Sequence, residues 1–205
     1  MDMKPKVIVI CGPTASGKTS LSIELAKQIN GEIISADSMQ VYRGMDIGTA
    51  KITKEEMGGI KHYLIDCLNP DEEFSVAVFQ TMAKKAIDEI LGKGKIPILV
   101  GGTGFYINAL INDNDFSSSK RDYAIREKLK NLLEEKGAEF IYNKLKEYDP
   151  EYASTVHQNN TKKVIRALEY CLENNEKFSE YNKREKLKEP IYDLNFFVLN
   201  MDREK

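Results

Sequence analysis

Short apolar, β-branched runs alternate with longer stretches of helical spacing through the first half of the chain. Lys6-Val-Ile-Val-Ile-Cys11 is apolar almost throughout, which predicts a strand buried on both faces of a parallel sheet. Ser20–Ile29 has the spacing of a helix, Glu32–Ala36 reads as a second short strand and His62–Asp66 as a third. Ser75 stands where it can cap a long amphipathic helix running to Leu91. Its apolar face is Val76, Phe79, Met82, Ala83, Ala86, Ile87 and Ile90, and Gly92 and Gly94 stop it. Ile96–Val100 is a fourth buried strand, with Pro97 tolerable near its start, and Gly101-Gly102-Thr103-Gly104 then turns into an apolar helix over 105–111. Alternation of this length predicts an α/β fold with a doubly wound parallel sheet, whose ligands sit at the carboxyl ends of the strands.

The pattern changes at Asn112–Ser119, a polar loop without periodicity. Beyond it come helical segments at about 121–136, 138–148, 159–173 and 179–187, with almost no strand signal until Ile191–Met201, which contains Phe196-Phe197-Val198-Leu199. The expected organisation is an α/β core made of residues 1–114 and 191–205, carrying a helical insertion domain over 115–190. At 205 residues, 41% hydrophobic and 30% charged, the chain has the composition of an ordinary soluble protein. Its net charge of −2 gives no global signature of a nucleic-acid binder, although one face can be basic while the rest is acidic. No apolar run approaches the ~18 residues that span a membrane, and the N-terminus leads straight into the first strand without a signal-peptide pattern. Cys11, Cys67 and Cys171 are odd in number, far apart and set among apolar residues. They are expected to be reduced core thiols of a cytoplasmic protein, while the isolated His62 and His157 do not suggest a histidine metal site.

Two constellations carry chemistry. Gly12-Pro13-Thr14-Ala15-Ser16-Gly17-Lys18-Thr19 matches the P-loop pattern G-x-x-x-x-G-K-S/T and lies between the first strand and the first helix. Such a turn aims successive backbone N–H groups and the positive helix end at one point, where a diphosphate can sit; Lys18 would reach the outer phosphate and the Thr19 hydroxyl would hold Mg²⁺. The second constellation begins at Asp37, directly after the second strand and at the edge shared with the loop. A carboxylate there can ligate Mg²⁺, orient a ribose, accept a proton from a nucleophile, or simply cap the next turn. Asp46 and Asp66 are less directly placed.

The phosphate loop, followed by Asp37-Ser38-Met39-Gln40-Val41-Tyr42-Arg43-Gly44-Met45-Asp46-Ile47-Gly48-Thr49-Ala50-Lys51, His62-Tyr63-Leu64-Ile65-Asp66, Pro97–Tyr106 and the helical segment Asn159–Glu169, resembles the bacterial tRNA dimethylallyltransferases. The motifs come in that family's order and span nearly the whole chain. The resemblance implies a P-loop NTPase-like core whose loop holds the diphosphate of dimethylallyl diphosphate with Mg²⁺, as a leaving group and not as a phosphoryl donor. It implies transfer of the dimethylallyl group to the exocyclic amine of the flipped adenine beside the anticodon of tRNA. Asp37 is then the proton acceptor and Lys18 the second catalytic group. Ser38, Met39 and Gln40 would line the base pocket, and Thr103 would touch RNA from the loop across it. Lys162, Lys163 and Arg166, on one helical face, could meet RNA phosphates, with an ordinary solvated face as the competing reading of these three; Arg126 is a weaker candidate for RNA contact.

The chain departs from the family at Tyr63, where a second histidine is usual, and at Gln158, where a proline is usual. Family members also continue past Met201–Lys205 with further helices and a Gly-Tyr motif. The 205-residue form is therefore expected to fold and bind pyrophosphate, to prenylate tRNA poorly or not at all, and to expose apolar surface that favours association. The family reading otherwise carries no partner chain and no membrane, and a monomer is expected. An adenylate isopentenyltransferase shares the loop and the aspartate but needs no helical arm. A small-molecule kinase needs an arginine-rich lid, and none follows Thr103.

Overall fold

The computed structural model describes residues 4–114 and 123–200. The chain falls into two compact units, Met1–Asn114 with Glu189–Lys205 and Asp115–Lys188. Parts of the expected polar loop (from residue 115), of the helix expected from Arg121 (residues 121 and 122) and of the last strand (Met201) lie outside the described residues.

In the first unit the elements are β1 (Lys6–Cys11), α1 (Lys18–Ile29), β2 (Gly31–Ser35), β3 (His62–Tyr63), α2 (Val76–Gly92), β4 (Ile96–Gly101), α3 (Gly104–Ile111) and β5 (Asp193–Val198). They build a five-stranded sheet of order β3-β2-β4-β1-β5 in which every pairing is parallel. Because side chains alternate across a strand, each face draws on different residues. Val7, Val9, Ile34 and Leu99 pack with Phe79, Ala83 and Ile87 of α2 and Ile107 and Leu110 of α3. Ile10, Ile33 and Ile98 pack instead with Ile23 and Ala26 of α1. A sheet covered on both faces by helices is doubly wound, and its central strands read as continuous apolar runs for that reason. Ser75 caps α2, its hydroxyl accepting from the Val78 amide.

β3 is shorter than the expected His62–Asp66. Leu64 and Asp66 take left-handed backbone angles (φ 61° and 51°), which end the strand after two residues. At the end of β4 two backbones come unusually close: a Cβ on Gly101 would lie 2.3 Å from the Ala36 carbonyl oxygen. Gly101→Ala is expected to destabilise the protein by about 2–3 kcal/mol, since backbone atoms on both sides must move. Urea unfolding measures this, and an unchanged midpoint would show that the strand ends relax freely.

Among the described residues β5 is an edge strand paired only with β1, and it leaves Phe196, Phe197 and Val198 exposed (45%, 52% and 66%). An open edge with aromatic side chains on it is a template for pairing with another chain. The protein is expected to self-associate with rising concentration, and Phe197→Lys to shift it toward monomer in sedimentation velocity. Identical sedimentation of the two at all concentrations would rule β5 out as the contact.

The second unit contains α4 (Tyr123–Tyr148), the short α5 (Pro150–Ala153), α6 (Thr161–Asn174) and α7 (Phe178–Lys186). Gly137 sits non-helically inside α4 (φ 82°, ψ 172°), so two helical stretches meet there. Its core is Leu129, Ile141, Leu145, Val164, Ile165 and Leu168, with Ala153, Val156 and Ala167. A wholly buried carboxylate, Asp149, caps α5 by accepting from the Tyr152 amide at 2.9 Å and also receives the Ser179 amide (2.7 Å) and hydroxyl (2.9 Å) at the start of α7. Such a group is tolerable in a core only because its oxygens are satisfied.

Candidate active site

The carboxyl ends of β1, β2 and β4 open on one cavity of ≈ 750 Å³, lined by Thr14, Ala15, Lys18 and Thr19 from the phosphate loop, by Asp37, Met39 and Gln40 after β2, and by Gly101 and Gly102 after β4. Residues 44–50 add a continuous further wall, and Ile33, Ile52, Ile65 and Val100 make much of the remainder apolar, with His62 beside them. Convergence of a polar anion cradle with an apolar chamber is what an amphiphilic ligand needs.

The cradle is shaped by its backbone. Gly12, Ala15 and Gly17 have φ of 151°, 64° and 82°, and a Cβ on Gly12 would stand 2.4 Å from the Leu199 carbonyl oxygen, so no larger residue fits at that first position. Gly17 is the N-cap of α1 and supplies no side-chain hydrogen bond to the helix. The first-turn amides therefore have no side-chain cap, which suits them to an anion. The Ser16 hydroxyl is enclosed without a hydrogen-bond partner, a second unmet donor in the same loop. Lys18 donates its ammonium to the Pro13 carbonyl across the loop. The Thr19 hydroxyl makes no hydrogen bond among the described residues, while the Thr19 carbonyl accepts from Ser22 (2.8 Å).

Asp37 does two things at once. Its Oδ1 accepts from the backbone N–H of Met39 (2.8 Å) and Gln40 (3.3 Å), which turns the chain after β2. Its Oδ2 has no hydrogen-bond partner among the described residues, and the residue lines the cavity. Gln40, expected in a base pocket, lines the cavity and directs its amide nitrogen at the Thr49 and Ala50 carbonyls (3.2 Å each). Ser38 and Thr103 are not part of the lining; Thr103 is the N-cap residue of α3. His62, which the sequence offers no neighbouring histidine to pair with at a metal, lines the cavity. Burial lowers the pKa of its imidazole, outweighing the hydrogen bond to the Ile60 carbonyl 2.9 Å from Nδ1. A carbonyl can only accept, so in the neutral ring Nδ1 carries the proton and Nε2 is left as an acceptor. Asp46 and Asp66 both pair with Lys51, a residue that no spacing in the sequence singles out.

In the helical unit, Lys162 and Lys163 are exposed and carry no ion pair among the described residues. Arg126 and Arg166 are engaged: both approach Oε2 of the fully buried Glu169, at 2.9 and 3.6 Å. Glu169 Oε1 is enclosed and without a partner. Half of the expected cationic face is thus tied to a buried carboxylate. No group of three or more His, Cys, Asp or Glu able to hold a metal lies among the described residues, and all three cysteines are free, with only Cys171 fully buried. No described helix is long and apolar enough to cross a membrane.

The IPP transferase family model matches residues 40–205. The chain belongs to the IPP transferase family. Among IPP transferases it is 55% identical over 199 residues to the tRNA dimethylallyltransferase of Acetivibrio thermocellus, covering 97% of this chain and 64% of that protein. The tRNA dimethylallyltransferase of Oceanobacillus iheyensis is 53% identical over 202 residues, with 98% and 64% covered. The chain thus spans about 64% of the length of these relatives. Among solved structures, a eukaryotic dimethylallyltransferase described as acting on tRNA superposes with a TM-score of 0.84 at 38% identity, covering 97% of this chain and 49% of that one. The tRNA isopentenylpyrophosphate transferase of Staphylococcus epidermidis gives 0.61 at 49% identity, with 98% and 65% covered.

Proposed function

We propose that this IPP transferase carries the donor and acceptor sites for moving a dimethylallyl group from dimethylallyl diphosphate to the exocyclic N6 amine of the adenine adjacent to the anticodon in tRNA. The observation that carries the reading is the single cavity shared by the phosphate loop and Asp37. The bond between C1 of the dimethylallyl group and its bridging oxygen breaks, and diphosphate leaves with the electron pair. The N6–C1 bond forms, and the N6 proton passes to the Asp37 carboxylate. Neutral adenine is a poor nucleophile, so placement of N6 and stabilisation of the departing charge supply most of the rate. Lys18 and the loop amides would face that charge, and Asp37 can hold N6 through the oxygen its own turn does not use.

Mg²⁺ fits the same place. The free Thr19 hydroxyl can hold it against the diphosphate, and one protein ligand with phosphate oxygens is a normal Mg²⁺ environment, so the lack of a carboxylate cluster among the described residues is no obstacle. When bound it would neutralise part of the departing charge. tRNA, engaged through its anticodon stem-loop, is the macromolecular partner in this reading, with Lys162 and Lys163 the exposed cations available to its phosphates. The protein would act in the cytoplasm.

The test is incubation with undermodified tRNA, free AMP, ATP and labelled dimethylallyl diphosphate. It is run on the chain alone and on the chain joined to the C-terminal third of the Acetivibrio relative. Label on the tRNA adenine is expected in the joined protein, with ATP bound but not consumed. Label on AMP would make it an adenylate prenyltransferase, and stoichiometric ADP release would move it to the kinases.

A further inference from the structure

The wall formed by residues 44–50 has no core of its own. Val41 and Ile52 are buried at its two ends, but Ile47 in the middle is fully exposed, so burial cannot hold its shape. Polar contacts do. Lys51, whose side chain is only 4% exposed, places all three ammonium donors on the Tyr42 carbonyl (2.7 Å), Asp46 (2.7 Å) and Asp66 (2.5 Å). The first contact closes the loop across nine residues, the second pins its outer part, and the third ties it to the turn after β3. Gln40 holds the Thr49 and Ala50 carbonyls, and the Thr49 hydroxyl donates to the Met45 carbonyl (2.7 Å). Ala50 and Asp66 keep left-handed backbone angles (φ 48° and 51°), which non-glycine residues hold only where surrounding contacts over-determine them. Burial of the ammonium works against its charge, and the hydrogen bonds to the two aspartates outweigh it, so the Lys51 pKa is raised and the lysine stays charged.

We propose that Lys51 is a positioning residue that fixes the 44–50 wall in the form that receives the five-carbon chain of an allylic diphosphate, a role that rests on the function proposed above. Lys51 does not itself line the cavity; Gly44 to Ala50 do, together with the apolar Ile33, Ile52 and Ile65. The diphosphate end is held elsewhere, by the loop after β1. The two halves of the donor are therefore recognised by structures with separate supports, and loosening one leaves the other intact. A preformed wall spares the ligand the cost of ordering it, which is how a residue out of contact can set affinity. Arginine cannot take over: its planar fork does not converge three bonds on three acceptors around one nitrogen.

The experiment compares pyrophosphate and dimethylallyl diphosphate binding, by calorimetry with Mg²⁺, in wild type, Lys51→Met and Lys51→Arg, with hydrogen exchange of residues 43–51 read alongside. Wild type should bind dimethylallyl diphosphate more tightly than pyrophosphate. Both variants should keep pyrophosphate affinity within about twofold, lose about fivefold or more of the preference for the allylic ligand, and exchange the wall amides at least about tenfold faster. Lys51→Met combined with Asp46→Asn and Asp66→Asn should lose little more than Lys51→Met alone, because the residues act as one unit. An unchanged preference, full rescue by arginine, or equal loss of both ligands would overturn the proposal, the last pointing to general unfolding. Wild type that binds the two ligands equally would also overturn it. Wild type that binds neither would instead defeat the proposed function.

Discussion

Lys18→Ala is expected to abolish turnover, lowering the rate of prenyl transfer by ~10³ or more while RNA affinity changes less than about threefold. The loop fixes where the ammonium acts. Lys18 now reaches back to the Pro13 carbonyl, a weak neutral partner that a diphosphate oxygen can displace. A charge-assisted bond to a leaving group strengthens as negative charge builds on it, so the loss falls on the transition state more than on bound substrate. In the proposed function RNA binding would draw on other groups, among them Lys162 and Lys163, which are exposed on the helical unit. Single-turnover transfer and a gel shift with the same tRNA measure the two effects separately. Lost RNA binding with normal transfer would sink the assignment of the loop.

Asp37→Ala is expected to lower the transfer rate by roughly 10²–10⁴, the range of a positioned proton acceptor, with dimethylallyl diphosphate still bound. Alanine also removes the Oδ1 cap of the turn at Met39 and Gln40, so that variant alone mixes two roles. Asp37→Asn separates them. Its amide oxygen can still accept from Met39, which keeps the turn, but it has no carboxylate to take the N6 proton. Asparagine should therefore be nearly as slow as alanine while retaining wild-type stability in urea. If asparagine restores activity to within about tenfold of wild type, Asp37 serves as a cap and an orienting group, and the proton goes elsewhere.

Much of this molecule is legible in its order of residues. Strands β1 and β4 follow from apolar runs that no water-facing element could carry, and Gly12 and Gly17 mark two of the three left-handed positions of the loop, the third falling on Ala15. Local information of that kind survives in a single sequence because each residue's contribution is made within a few positions of itself. The kink at Gly137 and the cap at Ser75 belong to the same class.

Long-range pairings are a different matter. Whether Asp37 is free or spent on a turn depends on which of its oxygens meets the Met39 amide, and both outcomes occur in one residue. Gln40 stands in a motif that suggests base contact, yet its amide nitrogen is used up on the Thr49 and Ala50 carbonyls. Arg126 looks like a solvent-facing cation until Glu169, 43 residues away in sequence, is placed beside it, although Arg166 reaches the same carboxylate from one turn away on α6. The same holds for Lys51, an inconspicuous lysine at the end of a motif, which becomes the tie between Tyr42, Asp46 and Asp66 once β3 breaks early. By itself the sequence determined the parallel α/β core, the phosphate loop and the carboxylate after β2, because periodicity and glycine geometry are local. Which side chains remain free to act was decided only by the tertiary structure, because a charged group takes whichever partner folding brings within about 3 Å, and no spacing rule predicts that partner.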